Sequence, residues 1–272
     1  MCLLLLALNC VPGRPWLLLG NRDEFHTRPT APAQAWVDTS DIVGGRDLQA
    51  GGSWLAVNRN GRYAAVTNVR NGAARPAPRS RGELVGNFVA GRDSAADYVA
   101  DIATRRAEYG PFNLIVGDGS CAWLVSSIDG GVRHLGSGIH AFSNGLPESE
   151  WPKMHRLRTR FAAMLQRGTS DDRHDQEEPP LDFRDQERMQ KPLLDLLIDT
   201  EQPQDADLPD TGVGLELERR LGPIFIRGET YGTRASTLAY ARADGSLVLH
   251  ERRFGPNAAP LGDSVIEVSP VP

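Results

Sequence analysis

The sequence predicts an α+β fold with mostly antiparallel sheets, and three observations carry that expectation. Short apolar runs separated by turn residues dominate the first 70 positions, two later segments follow a helical period, and strand-like and helix-like runs come in blocks. Strands joined directly by tight turns can only pair antiparallel, because a parallel pair needs a long crossover.

Residues 3–9 and 16–21 are apolar strands flanking the turn cluster Cys10-Val11-Pro12-Gly13-Arg14-Pro15. The apolar stretch 2–8 has no basic flank and is far short of the roughly 20 residues that span a bilayer, so it reads as a buried strand. Residues 54–59 and 62–68 flank Asn60-Gly61, a hairpin signal of type I′, because both residues accept positive φ. Asp93-Ser94 caps a helix with Ala96, Tyr98, Val99, Ile102, Ala103 and Tyr109 on one face, and Gly110-Pro111 ends it. Strands follow at 112–116 and 122–127. A second helix covers 153–165, with Met154, Leu157, Phe161 and Leu165 on its apolar face. The polar stretch at about 167–181 predicts a mobile surface loop, and Leu193, Leu194, Leu196, Leu197 and Ile198 anchor a short helix. A last hairpin joins 237–241 to 247–252 around Asp244-Gly245. Neither an internal repeat nor a break in composition divides residues 1–272, so one domain is expected.

With 272 residues, 40% hydrophobic and 24% charged, the chain is globular, and a net charge of −5 argues against nucleic acid as a partner. The one local basic loop, Arg75, Arg79 and Arg81 with Pro76 and Pro78 between, offers at most a contact for a phosphate-bearing group. The three cysteines, Cys2, Cys10 and Cys121, are an odd number without paired spacing, which predicts no disulfide framework and a cytoplasmic protein. Walker A, dinucleotide, H-E-x-x-H, C-x-x-C and G-x-S-x-G motifs are missing, and the six histidines lack ligand spacing, so no metal is expected.

The candidate chemistry starts at Cys2. Removal of Met1 by an aminopeptidase would leave a thiol and a free α-amine on one residue, with ordinary pKa values of about 8.5 and about 8. One residue then supplies nucleophile and base. The alternative is a small buried hydrophobe at the start of a strand. The tetrad Asn21-Arg22-Asp23-Glu24 follows the second apolar run directly. If Pro12-Gly13 centres the turn, Cys2 lies opposite Asp23 and Leu3 opposite Arg22. A bulge slips this pairing by one residue and leaves Cys2 facing Arg22 or Glu24. A carboxylate beside the amine would orient it, and a guanidinium beside the thiol would favour the thiolate. Asn68 and Asn144 end strands, where amide N–H groups can serve an oxyanion, although asparagine near glycine is also a turn former. Arg234 enters the last apolar strand, where a charge needs a partner or a function.

These blocks in one order resemble the NRDE family, also called the transport and Golgi organisation protein 2 family. They are Met1-Cys2, the tetrad, Gly51-Gly52-Ser53-Trp54-Leu55-Ala56, Ala65-Val66-Thr67-Asn68, Ser143-Asn144, Trp151-Pro152-Lys153, Leu208-Pro209-Asp210-Thr211-Gly212, Ile224-Phe225-Ile226 and Tyr231-Gly232-Thr233-Arg234. The resemblance implies an N-terminal nucleophile hydrolase-like αββα four-layer sandwich with two stacked, mostly antiparallel sheets. It also implies kinship with choloylglycine hydrolases and penicillin V acylases, which cleave linear amides. On that footing Cys2 is the nucleophile and base, Arg22 lies near the thiol, Asp23 holds the amine, Asn68 and Asn144 form the oxyanion hole, and Arg234 stabilises the charged site. Asn21, Glu24, Trp54 and Tyr231 are the expected substrate contacts. One departure is visible: in those acylases the arginine and aspartate are separated by two residues, whereas Arg22 and Asp23 are adjacent and point to opposite faces of a regular strand. Either a bulge brings both to Cys2, or Asn21 or Glu24 takes one role. The expected activity is hydrolysis of a small amide or acyl (thio)ester with no required cofactor. The alternative the resemblance implies is a non-catalytic carrier of haem, an acyl lipid or acyl-CoA on the same fold.

Overall fold

The computed structural model describes residues 3–70, 77–169 and 186–270. Cys2, Arg75 and most of the expected loop at 167–181 lie outside the described residues.

Chain order begins with strands β1 (Leu3–Val11), β2 (Arg14–Phe25), β3 (Thr30–Trp36), β4 (Thr39–Asp47), β5 (Leu55–Asn58) and β6 (Arg62–Asn68), then helices α1 (Arg81–Ala90) and α2 (Ala95–Arg105). Strands β7 (Phe112–Asp118), β8 (Cys121–Ser126), β9 (Val132–Leu135) and β10 (Gly138–Phe142) precede α3 (Pro152–Thr169), α4 (Gln186–Asp195) and α5 (Leu215–Leu221). The described chain closes with β11 (Tyr231–Ala241), β12 (Leu247–Phe254) and β13 (Pro260–Val268). One sheet has six strands in the order β10-β1-β2-β11-β12-β13, and the other seven in the order β3-β4-β5-β6-β7-β8-β9. Every pairing between these described strands is antiparallel.

Three apolar layers hold these elements in an α-β-β-α stack. Leu4, Leu6, Leu8, Trp16 and Leu18 face the second sheet and pack with Trp54, Leu55, Val57 and Tyr63. The alternate residues Leu3, Leu5, Leu17 and Leu19 face Leu157 and Phe161 of α3 and Leu193 and Leu194 of α4. On the far side α1 and α2 cover the seven-stranded sheet through Leu84, Phe88, Val99 and Ile102. Residues 3–8 form a continuous apolar run because this strand is buried on both faces.

The expected hairpins and helices exist, with instructive differences. The Asn60-Gly61 turn is a three-residue loop rather than type I′. Gly61 alone has positive φ (83°), its N–H returns to Asn58 O at 2.9 Å, and Asn58 Oδ1 accepts from Asn60 N. Helix α3 runs to Thr169, past the expected loop start at 167. Strands β3, β4, β9 and β13 and helices α1 and α5 carry weaker signals. Helix α1 holds two glycines, yet its capping box, Ser80 with Glu83, was legible in the sequence.

The register of β1 on β2 departs from the turn-centred expectation. Val11 faces Arg14 as that turn requires, but Asn9 adopts a φ of 52° and the ladder shifts, so Leu3 pairs with Asn21 rather than Arg22. On its other side Leu4 pairs with Phe142 of β10. The start of β1 therefore lies where β2 and β10 end.

Candidate active site

Strands β2, β6 and β10 deliver the tetrad, Asn68 and Asn144 to one end of the sandwich. Two cavities open there. The larger, about 870 Å³, is walled mainly by apolar groups, among them Phe25, Val69, Leu217, Leu221, Phe225 and Ile226. The smaller, about 230 Å³, is polar, and Arg22, Glu24, Arg28, Asp47, Trp54 and the start of α1 bound it. Asp23, Asn68 and Arg81 line both.

Arg22 is only 4% exposed; its guanidinium lies 3.8 Å from Glu24, 3.7 Å from Asp47 and 4.5 Å from the ring centroid of Trp54. Arg28 holds the same two carboxylates, Asp47 at 2.7 Å and Glu24 at 3.7 Å. Burial pushes the Arg22 guanidinium below its ordinary pKa, and Glu24 and Asp47 counter the shift; an arginine remains charged throughout. Trp54, expected as a ligand contact, underlies Arg22 and reaches only the smaller cavity.

A bulge does occur beside the tetrad, but in β11. Thr233 pairs with Asp23 and Ala235 with Arg22, leaving Arg234 as the extra residue. Thr233 Oγ1 donates to Asp23 Oδ1 at 2.5 Å. The bulged Arg234 turns its guanidinium to Phe25 O and Thr30 Oγ1, both at 3.2 Å, and to Arg28 O. Arg22 Nη1 meets the same Thr30 hydroxyl at 3.3 Å. Arg234 thus ties the β2–β3 connection down around Arg22, and it lines neither cavity.

Asn144 Nδ2 donates to Asn68 O at 2.9 Å, and Asn144 O accepts from Arg70 N at 2.7 Å. One amide hydrogen of Asn144 is committed by this bond; a primary amide has two. Tyr231 lines the larger cavity, edge-on to Phe25 at 5.2 Å.

Asn21, expected among the ligand contacts, does something else. Fully buried, it lines neither cavity; Nδ2 donates to Leu197 O and Ile224 O, both at 2.8 Å, and Oδ1 accepts from Ser236 Oγ at 2.7 Å. Its amide fastens β2 to the helical layer and to β11.

Two residues near the site, Asp47 and Glu251, were not singled out from sequence, and Arg81 was read only as part of a basic loop. Asp47 closes the ion network of the tetrad, and Arg81 lines both cavities. Glu251, 1% exposed between the sheets, accepts Ala33 N–H at 2.8 Å. Burial pushes its carboxyl up to about 7, against the lowering effects of that hydrogen bond, Arg253 and Arg22. An acidic residue on the same strand face as Leu247 and Leu249 was the available signal. Among the described residues no group of histidine, cysteine, aspartate or glutamate could hold a metal, and no helix is long and apolar enough to cross a membrane.

Comparison with known proteins accords with this architecture. Residues 1–256 match the family described as Transport and Golgi organisation 2. The chain is 28% identical over 257 residues to the Transport and Golgi organization 2 homolog of Mus musculus, covering 87% of this chain and 85% of that protein. It is 29% identical over 252 residues to the Bos taurus homolog, with the same shares. Among solved structures, an N-acylethanolamine-hydrolyzing acid amidase ortholog from Caenorhabditis elegans superposes with a TM-score of 0.50 at 14% identity, over 87% of this chain and 92% of that one. A mutant conjugated bile acid hydrolase from Clostridium perfringens gives 0.52 at 9% identity, over 98% and 92%. At such identities the likeness shows the fold, which is that of the N-terminal nucleophile hydrolases.

Proposed function

The chain belongs to the Transport and Golgi organisation 2 family, and from that membership and the site geometry we propose that it is an N-terminal cysteine hydrolase acting on a small amide or acyl (thio)ester. The observation that supports this reading is the ladder at the start of β1. Leu3 pairs with Asn21 and Leu4 with Phe142, and Cys2, although outside the described residues, is bonded to Leu3. Leu3, the first described residue, lies at the strand ends that carry Arg22, Asp23 and Asn144.

In this reading the Met1–Cys2 bond is cleaved first, freeing the α-amine. The Cys2 thiol gives its proton to that amine and attacks the carbonyl carbon, forming a C–S bond and an oxyanion. The side-chain amide of Asn68 and the remaining amide hydrogen of Asn144 donate to the oxyanion. The ammonium returns the proton to the leaving nitrogen, oxygen or sulfur as its bond to carbon breaks. Water then attacks the acyl thioester and releases the acid, restoring the thiol. Asp23, held by Thr233, orients the amine, and the Arg22 charge favours the thiolate.

Intact mass of the purified protein should lack Met1, and an electrophile should label Cys2 faster than half-buried Cys10 or exposed Cys121. Equal labelling of the three, or unchanged turnover in Cys2→Ser, refutes the reading. The size and apolar wall of the larger cavity also favour the second reading, a carrier of haem, an acyl lipid or acyl-CoA. Neither histidine nor methionine stands among its described lining residues, so haem there finds no ligand of either kind. Spectral titration tests this directly: a haem carrier saturates at equimolar protein.

A further inference from the structure

The bulge in β11 changes what Asp23 meets across the ladder. Ser236 pairs with Asn21 and Ala235 with Arg22, so an unbroken ladder would set Arg234 opposite Asp23 and Thr233 opposite Glu24. The extra residue instead brings Thr233 opposite Asp23 and Gly232 opposite Glu24. A hydroxyl with one hydrogen stands where a guanidinium with five donors would have been. We propose that Thr233 is a positioning residue for Asp23: the bulge sets its hydroxyl, rather than the Arg234 guanidinium, against the carboxylate that orients the Cys2 α-amine. This rests on the hydrolase reading for the role of Asp23.

The direction of the hydroxyl is fixed by its other neighbour. Thr233 Oγ1 accepts from Ile226 N at 2.9 Å. An amide N–H can only donate, so the hydroxyl hydrogen is directed to Asp23 Oδ1, 2.5 Å away. Thr233 N in turn donates to Ile226 O at 2.9 Å, so two bonds between these residues hold the hydroxyl in place. Thr233 is 1% exposed and Asp23 5%; a bond from a hydroxyl to a carboxylate in such surroundings is of the stronger, charge-assisted kind.

The same contacts tie the carboxylate to the cavity wall. Asn21 holds Ile224 O and Thr233 holds Ile226, and Phe225 and Ile226 line the larger cavity. A guanidinium in the place of the hydroxyl would compete with the α-ammonium for Asp23, since two cations drawn to one carboxylate repel each other. Arg234 turns its donors to Phe25 O, Arg28 O and Thr30 Oγ1 instead.

The rate at which iodoacetamide alkylates Cys2 at pH 7 in the full-length protein, read by mass spectrometry, tests this without a substrate. Thr233→Val, close in shape but without the hydroxyl, should slow alkylation at least about tenfold, as expected for the loss of one hydrogen bond to a charged group. Thr233→Ser, which keeps the hydroxyl, should bring the rate back to within about threefold of the parent. A residue that acts through Asp23 has nothing further to remove once that carboxylate is gone, so Asp23→Asn with Thr233→Val should lie within about threefold of Asp23→Asn alone. Thr233→Ala, with room for a water beside Ile226 N–H, takes the place of valine if the valine variant does not fold. A valine or alanine variant as fast as the parent, a serine variant as slow as valine, or the full valine loss repeated on top of Asp23→Asn overturns the proposal. Cys2 labelled no faster than Cys10 and Cys121 in the parent is a separate result, because it removes the hydrolase reading itself and this role with it.

Discussion

Replacing Glu251 by glutamine should raise stability at alkaline pH and leave it unchanged in acid. The carboxyl lies between the sheets with Ala33 N–H as its hydrogen-bond donor, and burial raises its pKa to about 7. An unfolded glutamate titrates near 4.3. The native state therefore holds this proton more tightly than the unfolded chain. Between about pH 4.3 and about 7 the unfolded chain has released the proton while the native state keeps it, so stability falls as pH rises across that window. Above about 7 the penalty is complete; each tenfold separation is about 1.4 kcal/mol, which makes the total about 3.5 kcal/mol. Glutamine keeps an oxygen for Ala33 N–H and carries no charge. Urea unfolding of Glu251→Gln and parent protein at pH 4, 5, 6, 7 and 8 should give curves that nearly coincide at pH 4, differ by about 1 kcal/mol at pH 5 and diverge to about 3.5 kcal/mol at pH 8. The matching rise in Tm is about 6 °C, from about 2.1 cal/mol/K of unfolding entropy per residue. Other titrating groups are common to both proteins and cancel in the difference. A difference constant across pH refutes the reasoning.

Asn21→Asp should destabilise the protein by at least about 3 kcal/mol, because it sets a carboxylate against two carbonyls that now accept from the amide; Asp23→Asn should cost much less in the same urea titration. Under the hydrolase reading Asp23→Asn should instead slow electrophile labelling of Cys2 about 100-fold or more, measured by mass spectrometry; an unaffected rate removes Asp23 from the site. Gly51 and Gly52 should both lose stability on replacement by alanine, but by different amounts and for different reasons. A Cβ on Gly51 meets open space and only strains a φ of 78°, costing about 1 kcal/mol. A Cβ on Gly52 falls 2.3 Å from the Gly82 backbone, costing about 3 kcal/mol, and thermal unfolding ranks the two.

Sequence alone determined the local geometry. Leu3 to Leu8, apolar at every position, could only be a strand covered on both faces, and Pro12-Gly13 and Asp244-Gly245 could only be turns between antiparallel neighbours. The tetrad was legible as a site candidate because charged residues at the end of an apolar strand demand partners. Which partners they find is a matter of register and layer, and those depend on contacts far apart in the chain. The left-handed Asn9 shifted β1 by one residue, and the bulge at Arg234 gave Asp23 to Thr233. Asn21 and Arg22, adjacent in sequence, parted to opposite faces: one fastens the helical layer, the other bounds a cavity built with a strand and a helix of the second sheet's side. Only the stacking of two sheets buries Glu251 beside Ala33, 218 positions away. Period and turn chemistry act over a few residues, whereas desolvation and charge pairing depend on every element packed nearby, and that is decided by the assembled sandwich.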